Sequence, residues 1–399
     1  MLTPAEAAAA IAAHVTLLPA EQVPLARCGG RVLRQPVRAE RDAPPFDRVA
    51  MDGIALRHAT LAAGSRRFPV AGTQAAGHPP LALPDPHACL EVMTGAVLPS
   101  GCDVVVPVED VFREGPEAVL PPALRCEPWQ HVHRRASDAR AGDLLLAAGT
   151  GLRAPEIAIV ASAGLAAVEV TRQPRVAVIS TGDELVDPGA PILDHQVRRS
   201  NAYALATALT RRGGAQVEDA HVRDDEDAIA AAIAEALERN DFLVLSGGVS
   251  MGRFDHVPRV LGRLGVREIF HRVAQRPGKP MWFGVAPLGQ PVFGLPGNPV
   301  SVLACLLRYV LPALEHAQGL PPTPVRRVAL AEAVTFRPAL AWLLPVELEC
   351  DAEGRSWALP RPTHGSGDFN ALAGTSGFIE LPPGPVQLAA GATAPFHSW

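Results

Sequence analysis

The sequence predicts a multidomain chain of α/β plus β character, with a doubly wound α/β domain at its centre. Three observations carry that prediction. The chain has 399 residues, more than one hydrophobic core normally organises. Between Arg175 and Gln318, short apolar runs alternate with amphipathic helical patterns, which signals βαβ units and a largely parallel sheet. Many of the 40 prolines fall on either side of that block, where they favour short strands and turns over long helices.

Taken in order, the chain opens with "AEAAAAIAAHV". Thr3 is placed as an N-cap, Pro4 at the first helical position and Glu6 three residues after the cap, so this is a helix. No Lys or Arg precedes it, which separates it from a signal-peptide core and leaves the cytoplasm as the expected compartment. Short β-like runs follow: "RVLRQPVRA", "CLEVMTGAVLPSGCDVVVPVEDV" and "AGDLLLAAGTGL". The central block begins with the strand "RVAVIS" and the helix "SNAYALATALTRRGG", capped by Ser200 and closed by Gly213. A second helix, "DDEDAIAAAIAEALERN", lines up Ile229, Ile233 and Leu237 on one stripe. The strands "FLVLS", "MWFGV" and "VFG" come next, then a helix opened by Asn298 and Pro299. "GLPPTPVRR" is a proline-rich joint, and the remainder reads as a small all-β domain.

Composition excludes several classes. A hydrophobic content of 48% makes the chain globular, and a net charge of −5 gives no broad basic footprint for nucleic acid. Apolar stretches are broken well short of a membrane span. The cysteines Cys28, Cys89, Cys102, Cys126, Cys305 and Cys350 are scattered without a Cys-x-x-Cys, so reduced packing thiols are expected.

Two strands end abruptly in small residues and acids. "STGDEL" (Ser180 to Leu185) offers a glycine for close ligand approach and, from Thr, Asp and Glu, a hydroxyl and two carboxylates, a set suited to a hard cation or ligand hydroxyls, although acids also mark ordinary helix starts. "SGGVSMGRFD" (Ser246 to Asp255) places three glycines and two serines after a buried strand, which makes an anion nest with Asp255 at its rim. "QRPGKP" carries Arg276 and Lys279 around a Pro-Gly turn, with Arg272 just upstream. "GLPGNPVS" is a strand-to-helix loop whose helix N-terminus is a ready anion site. "HVHRR" holds two alternating histidines and is read as a β-edge without a metal.

Together "FDRVAMDG", "MTGAVLPSGCDVVVPVED", "STGDEL", "SGGVSMGRFD", "RPGKP" and "GLPGNPVS" resemble, in order and spacing, the molybdopterin molybdenumtransferases, the MoeA family that includes the gephyrin E domain. The resemblance runs from about Thr3 to the C-terminus. It implies four domains: an elongated linker domain from residues 1–45 and 145–173, an inserted β-rich domain (46–144), a doubly wound molybdopterin-binding α/β domain (174–320) and a C-terminal β-barrel (321–399). It also implies a homodimer and a reaction that joins molybdate to adenylylated molybdopterin, releasing AMP with Mg²⁺. The partners such a role implies are a molybdopterin adenylyltransferase and molybdoenzyme maturation proteins, with neither nucleic acid nor membrane.

Carried onto matching positions, the resemblance implies catalytic roles for Asp52, Thr94, Asp138, Glu184, Asp224 and Asp255, with Glu184 and Asp255 as the Mg²⁺ ligands. It implies substrate and phosphate contacts from Ser180, Thr181, Gly182, Ser246, Gly247, Gly248, Ser250, Arg272, Arg276, Lys279, Pro296, Gly297, Asn298 and Ser366. Three departures stand out. Arg48-Val49 replaces the family's Asn-Ser, Arg272 and Arg276 stand for two lysines, and a barrel arginine near "AWLLPVELE" is replaced by Leu or Pro. A molybdopterin adenylyltransferase-like enzyme and a non-catalytic molybdopterin-binding scaffold are the alternatives; the long N-terminal region and the barrel argue against the first, the intact acids against the second.

Overall fold

The computed structural model describes residues 1–249, 256–322 and 324–399. Its central sheet has six strands in the spatial order Gln216–Val222, Arg175–Thr181, Phe242–Ser246, Pro291–Leu295, Trp282–Val285, Arg267–His271. The first four are mutually parallel. Trp282–Val285 runs antiparallel to both of its neighbours, so the sheet carries an antiparallel extension that the reading of the sequence did not separate out.

Period-two alternation explains why these strands sit in the middle of the protein. Val176, Val178, Phe242 and Val244 enter one core, with Leu205, Leu209 and Leu314. Ala177, Ile179, Leu243 and Leu245 enter the other, with Ile229, Ile233 and Val260. A strand buried on both faces must be apolar throughout, which is what "RVAVIS" and "FLVLS" are. The chain leaves Arg175–Thr181 toward one neighbour and returns on its other side, so a crevice opens at the carboxyl ends of Arg175–Thr181 and Phe242–Ser246.

The helices follow their local chemistry. Pro4–Ala12 begins with a complete capping box, Glu6 Oε2 accepting from the Thr3 N–H at 2.8 Å. Asp225 caps Glu226–Arg239 by accepting from the Ala228 N–H at 2.8 Å. Ser200, expected as a cap, is instead the first residue of Ser200–Arg211, and Arg199 takes the cap position without a side-chain cap bond. That shift places Asn201 in the first turn. The helix from Pro299 widens into a π-turn at Leu306–Val310 before continuing as Leu311–Gln318. Pro312 has no N–H to give the preceding turn, and a π-turn is one way to absorb that loss. This helix has the length and hydropathy of a membrane span, but 72% of its apolar window is buried inside the protein.

The N-terminal half holds a second six-stranded sheet, in which Val104–Pro107, Gly53–Leu56, Cys89–Val92 and Arg67–Gln74 are successive neighbours. Gly53 is required there, because a Cβ would lie 2.0 Å from the Val106 carbonyl oxygen. Elsewhere Ala20–Pro24 pairs with Ala167–Thr171, and Val37–Arg38 with Leu144–Leu146, so two distant segments form one body. Five C-terminal strands close on themselves: Arg327–Leu330, Ser356–Pro360, Ala341–Cys350, Gly377–Leu381 and Thr393–Ser398, the last pairing back to the first. This barrel is not free of the α/β block. Gln275–Arg276 adds a short parallel strand beside Ala341 and Trp342.

Candidate active site

Two adjoining cavities lie where the strand ends, the long helix and the barrel meet. The first, about 680 Å³, sits in the crevice of the parallel sheet. Its floor is Ser180, Thr181, Ser246 and Gly247; its walls include Glu184, Arg198, Arg199 and Asn201, and Gly297 with Asn298 closes one end. The backbone there has no room for side chains. Gly247 has φ +99°, and a Cβ on it would lie 2.8 Å from the Thr181 carbonyl oxygen. A Cβ on Gly248 would lie 2.9 Å from Thr181 Oγ1. The hydroxyls of Ser180 and Thr181 are buried and have no hydrogen-bond partner among the described residues. Buried hydroxyls without partners are uncommon in a finished core, and at the floor of a cavity they are available to a ligand.

The acids gather at the rim. Asp183 Oδ1 accepts from the Asp224 N–H at 3.4 Å. Burial first, and then the charge of Glu184, push the Asp224 carboxyl above the ordinary aspartate range. Arg199 is 7% exposed, and its guanidinium is held by Asp187 and Asp219, each at 2.8 Å. Such a paired cation is rigid, and its field still reaches the cavity that it lines.

The second cavity, about 700 Å³, lies between the Pro-Gly turn and the barrel. Arg276 and Lys279 enter it from the turn, Arg337 from the barrel, and Ser301, Thr363 and Ser366 add hydroxyls. No carboxylate lines it among the described residues. Nor do the three cations have an ion-pair partner among the described residues, which is an unusual concentration of unbalanced charge. Asn298 lines both cavities and donates to Ser366 Oγ at 2.8 Å, which ties the helix start to the barrel.

The structure thus brings together Ser180, Thr181, Glu184, Ser246, Gly247, Gly297 and Asn298 in one cavity, and Arg276, Lys279, Pro296, Asn298 and Ser366 in the next. Gly182 and Gly248 border the first through the glycine contacts, and Asp224 joins through Glu184. Arg272 has φ +77° and lines neither cavity. Ser250 and Asp255 lie outside the described residues. Three further candidates lie apart from both cavities, in two hydrogen-bonded groups. Asp52 Oδ1 accepts from Thr94 N–H at 2.7 Å and Thr94 Oγ1 at 2.6 Å, which holds its carboxyl below the usual range. Asp138 accepts from Ser137 Oγ at 3.0 Å and meets His133 Nε2 at 2.9 Å, with the Arg48 guanidinium 2.9 Å from the other ring nitrogen, Nδ1. "HVHRR" is a β-edge as expected, Val132–His133 pairing with Arg48–Val49. Asp52, Thr94 and Asp138 line neither cavity of their own chain.

The sequence reading missed four residues that the geometry presents: Arg198, Arg199, Asn201 and Arg337. Arg198 and Arg199 directly precede the helix that the sequence reading starts at Ser200 and received no role there, and Asn201 reads only as part of that helix. Arg337 stands just outside the strand in which a barrel cation was sought.

Comparison with known proteins matches three family models along the chain. Residues 2–164 match the MoeA N-terminal region (domain I and II), 177–316 a probable molybdopterin binding domain, and 327–399 the MoeA C-terminal region (domain IV). A molybdopterin molybdenumtransferase of Synechocystis sp. is 43% identical over 93% of this chain and 93% of its own. One from Bacillus subtilis is 31% identical over 91% of this chain and 86% of its own. Among solved structures, a molybdopterin biosynthesis MoeA protein from Pyrococcus horikosii superposes with a TM-score of 0.82 at 30% identity, covering 100% of this chain and 99% of that one.

Proposed function

Because this chain belongs to the MoeA family of molybdopterin molybdenumtransferases, enzymes of molybdenum cofactor biosynthesis, we propose that it inserts molybdate into adenylylated molybdopterin and releases AMP, with Mg²⁺. The observation that carries the reading is the pair of cavities joined at Asn298, one lined by strand-end hydroxyls and glycines and the other by three cations and no described acid. The phosphoanhydride lies in the first. Its oxygens take the free hydroxyls of Ser180 and Thr181 and the helix N-terminus that follows Asn298. Arg199 adds charge without moving, because two carboxylates fix it. Molybdate, itself a dianion, is drawn to Arg276, Lys279 and Arg337 and is oriented by Ser366.

Among the described residues no group of three or more His, Cys, Asp or Glu side chains could hold a metal ion. Mg²⁺ does not need such a cage, since it characteristically takes one or two carboxylates and completes its shell with phosphate and water. Glu184 and Asp224 fit that role. Burial first and the Glu184 charge second raise the Asp224 carboxyl, and a cation beside it would offset both. When bound, Mg²⁺ neutralises developing charge on the phosphoanhydride oxygens. Asp255 is a further candidate by family position.

The proposal includes a homodimer in which Asp52, Thr94 and Asp138 of one chain complete the cavities of its partner. What supports it is their separation: the three candidates sit in pre-formed hydrogen-bonded groups, Asp52 with Thr94 and Asp138 with His133, on a chain whose own cavities they do not line. The enzyme reading is tested by incubating purified protein with adenylyl-molybdopterin and Mg²⁺ and measuring AMP. Release that depends on added molybdate supports it; AMP release that is indifferent to molybdate, or none at all, rejects it.

A further inference from the structure

We propose that Asn201 is a positioning residue that turns the strand-end cavity into a donor-lined seat for phosphate, a role that rests on the reading of that cavity given above. Asn201 is half-buried in the first turn of Ser200–Arg211 and lines the cavity. Its Nδ2 lies 2.7 Å from the Gly297 carbonyl oxygen and 3.3 Å from Ser246 Oγ. A carbonyl oxygen only accepts, so the amide atom facing Gly297 has to be the nitrogen, and the orientation of the amide follows from chemistry. One NH₂ group therefore ties together three segments distant in sequence: the helix start, the end of Phe242–Ser246 and the loop before Pro299.

Each bond changes what the cavity offers an anion. The negative end of the Gly297 carbonyl would repel a phosphate, and here it is engaged by Asn201. Ser246 Oγ accepts from Asn201, which leaves its own proton free to donate elsewhere. Oδ1 of Asn201 has no hydrogen-bond partner among the described residues, so it remains an acceptor for an N–H or O–H on the organic part of the ligand. The result is asymmetric. Donors face the phosphate, and one acceptor stands beside it.

The test is the equilibrium binding of AMP by calorimetry to wild type, Asn201→Ala and Asn201→Asp between mildly acidic and mildly alkaline pH, with thermal unfolding run in parallel. Asn201→Ala is expected to bind about tenfold more weakly, because the Gly297 carbonyl then turns an unengaged negative end toward the phosphate and Ser246 Oγ loses the donor that orients it, with an unfolding midpoint close to wild type. Asn201→Asp is expected to be weaker still at alkaline pH, where a carboxylate faces both the Gly297 carbonyl and the ligand phosphate. Relative to wild type at the same pH it should recover as pH falls, because a protonated carboxyl regains one donor. A role in folding alone would show neither the selective loss of binding nor that recovery. If wild type binds AMP and Asn201→Ala matches it, the positioning role is overturned while the proposed function stands. A wild type that binds no AMP overturns both. Should Asn201→Ala fail to fold, the near-isosteric Asn201→Asp still decides, since an affinity ratio flat with pH overturns the role.

Discussion

Gly247→Ala should damage the site through the backbone, and the size of the effect can be worked from two contacts. Gly247 has φ +99°, where alanine costs about 1–2 kcal/mol relative to its preferred conformations. A Cβ would also lie 2.8 Å from the Thr181 carbonyl oxygen and 3.2 Å from Thr181 Oγ1, so the two strand-end loops must part. Overpacking of that kind costs about 1–3 kcal/mol, which brings the sum to about 2–5 kcal/mol. A domain stable by about 5–15 kcal/mol survives this, but loses much of its margin. Gly189→Ala separates the two contributions, because Gly189 has φ +87° and nothing within 4 Å of its Cβ position. Denaturant unfolding of both variants, with hydrogen exchange on Phe242–Ser246 to locate the change, should show Gly247→Ala less stable than Gly189→Ala by the overpacking difference. Unfolding of the two variants within about 0.5 kcal/mol of each other would refute the claim that close loop packing fixes the cavity floor.

Thr94→Val should raise the pKa of Asp52, because the Thr94 hydroxyl, followed by the Thr94 N–H, holds that carboxyl low. A depressed carboxyl stays ionised as pH falls, so its loss should move the acid limb of the pH–activity profile to higher pH, and NMR titration of Asp52 should show the same shift. Arg337→Ala should raise the molybdate concentration for half-maximal AMP release at least about tenfold, roughly 1.4 kcal/mol, while leaving the KM for the adenylylated substrate nearly unchanged, since Arg337 lines only the second cavity. Overlapping molybdate curves would show it to be a surface charge. Alkylation at neutral pH should mark Cys350 first, the one cysteine that is exposed. Burial pushes Cys89 up to about 11 and Cys102 and Cys305 up to about 12, so mass spectrometry should find those three unmodified until the protein unfolds.

Much of this architecture is legible in the chain because local chemistry and tertiary role coincide. Thr3 and Glu6 spell a capping box and form one. The apolar strands "RVAVIS" and "FLVLS" can only be buried on two faces, and Gly182, Gly247 and Gly248 after them combine positive φ with close packing that leaves no room for a side chain. The misses come where one residue serves a distant partner. Ser200 has the chemistry of a cap, yet Arg199 takes that position because Asp187 and Asp219 hold its guanidinium, and no local signal announces that pairing. Asn201 reads as an ordinary polar helix residue, and its meaning lies in Gly297, 96 positions away. Arg337 could not be placed from sequence, since only the closure of the barrel turns it toward Arg276 and Lys279. The Asp52–Thr94 pair was found through family resemblance alone; 42 residues separate its members, and Asp52-Gly53 by itself reads as a turn.

The central claim is that the Asp52–Thr94 cluster and the strand-end cavity are halves of one active site, completed across a homodimer. Asp52→Ala and Glu184→Ala chains should each be inactive alone. A mixed dimer holds one doubly damaged site and one with neither change. Mixing the two inactive proteins, with subunit exchange confirmed by tagged co-purification, should therefore restore molybdate-dependent AMP release, up to about one quarter of wild type if dimers form at random, since half the dimers are mixed and each has one intact site. Confirmed exchange with no recovery of AMP release would contradict the shared site and place both residues in service of a single chain.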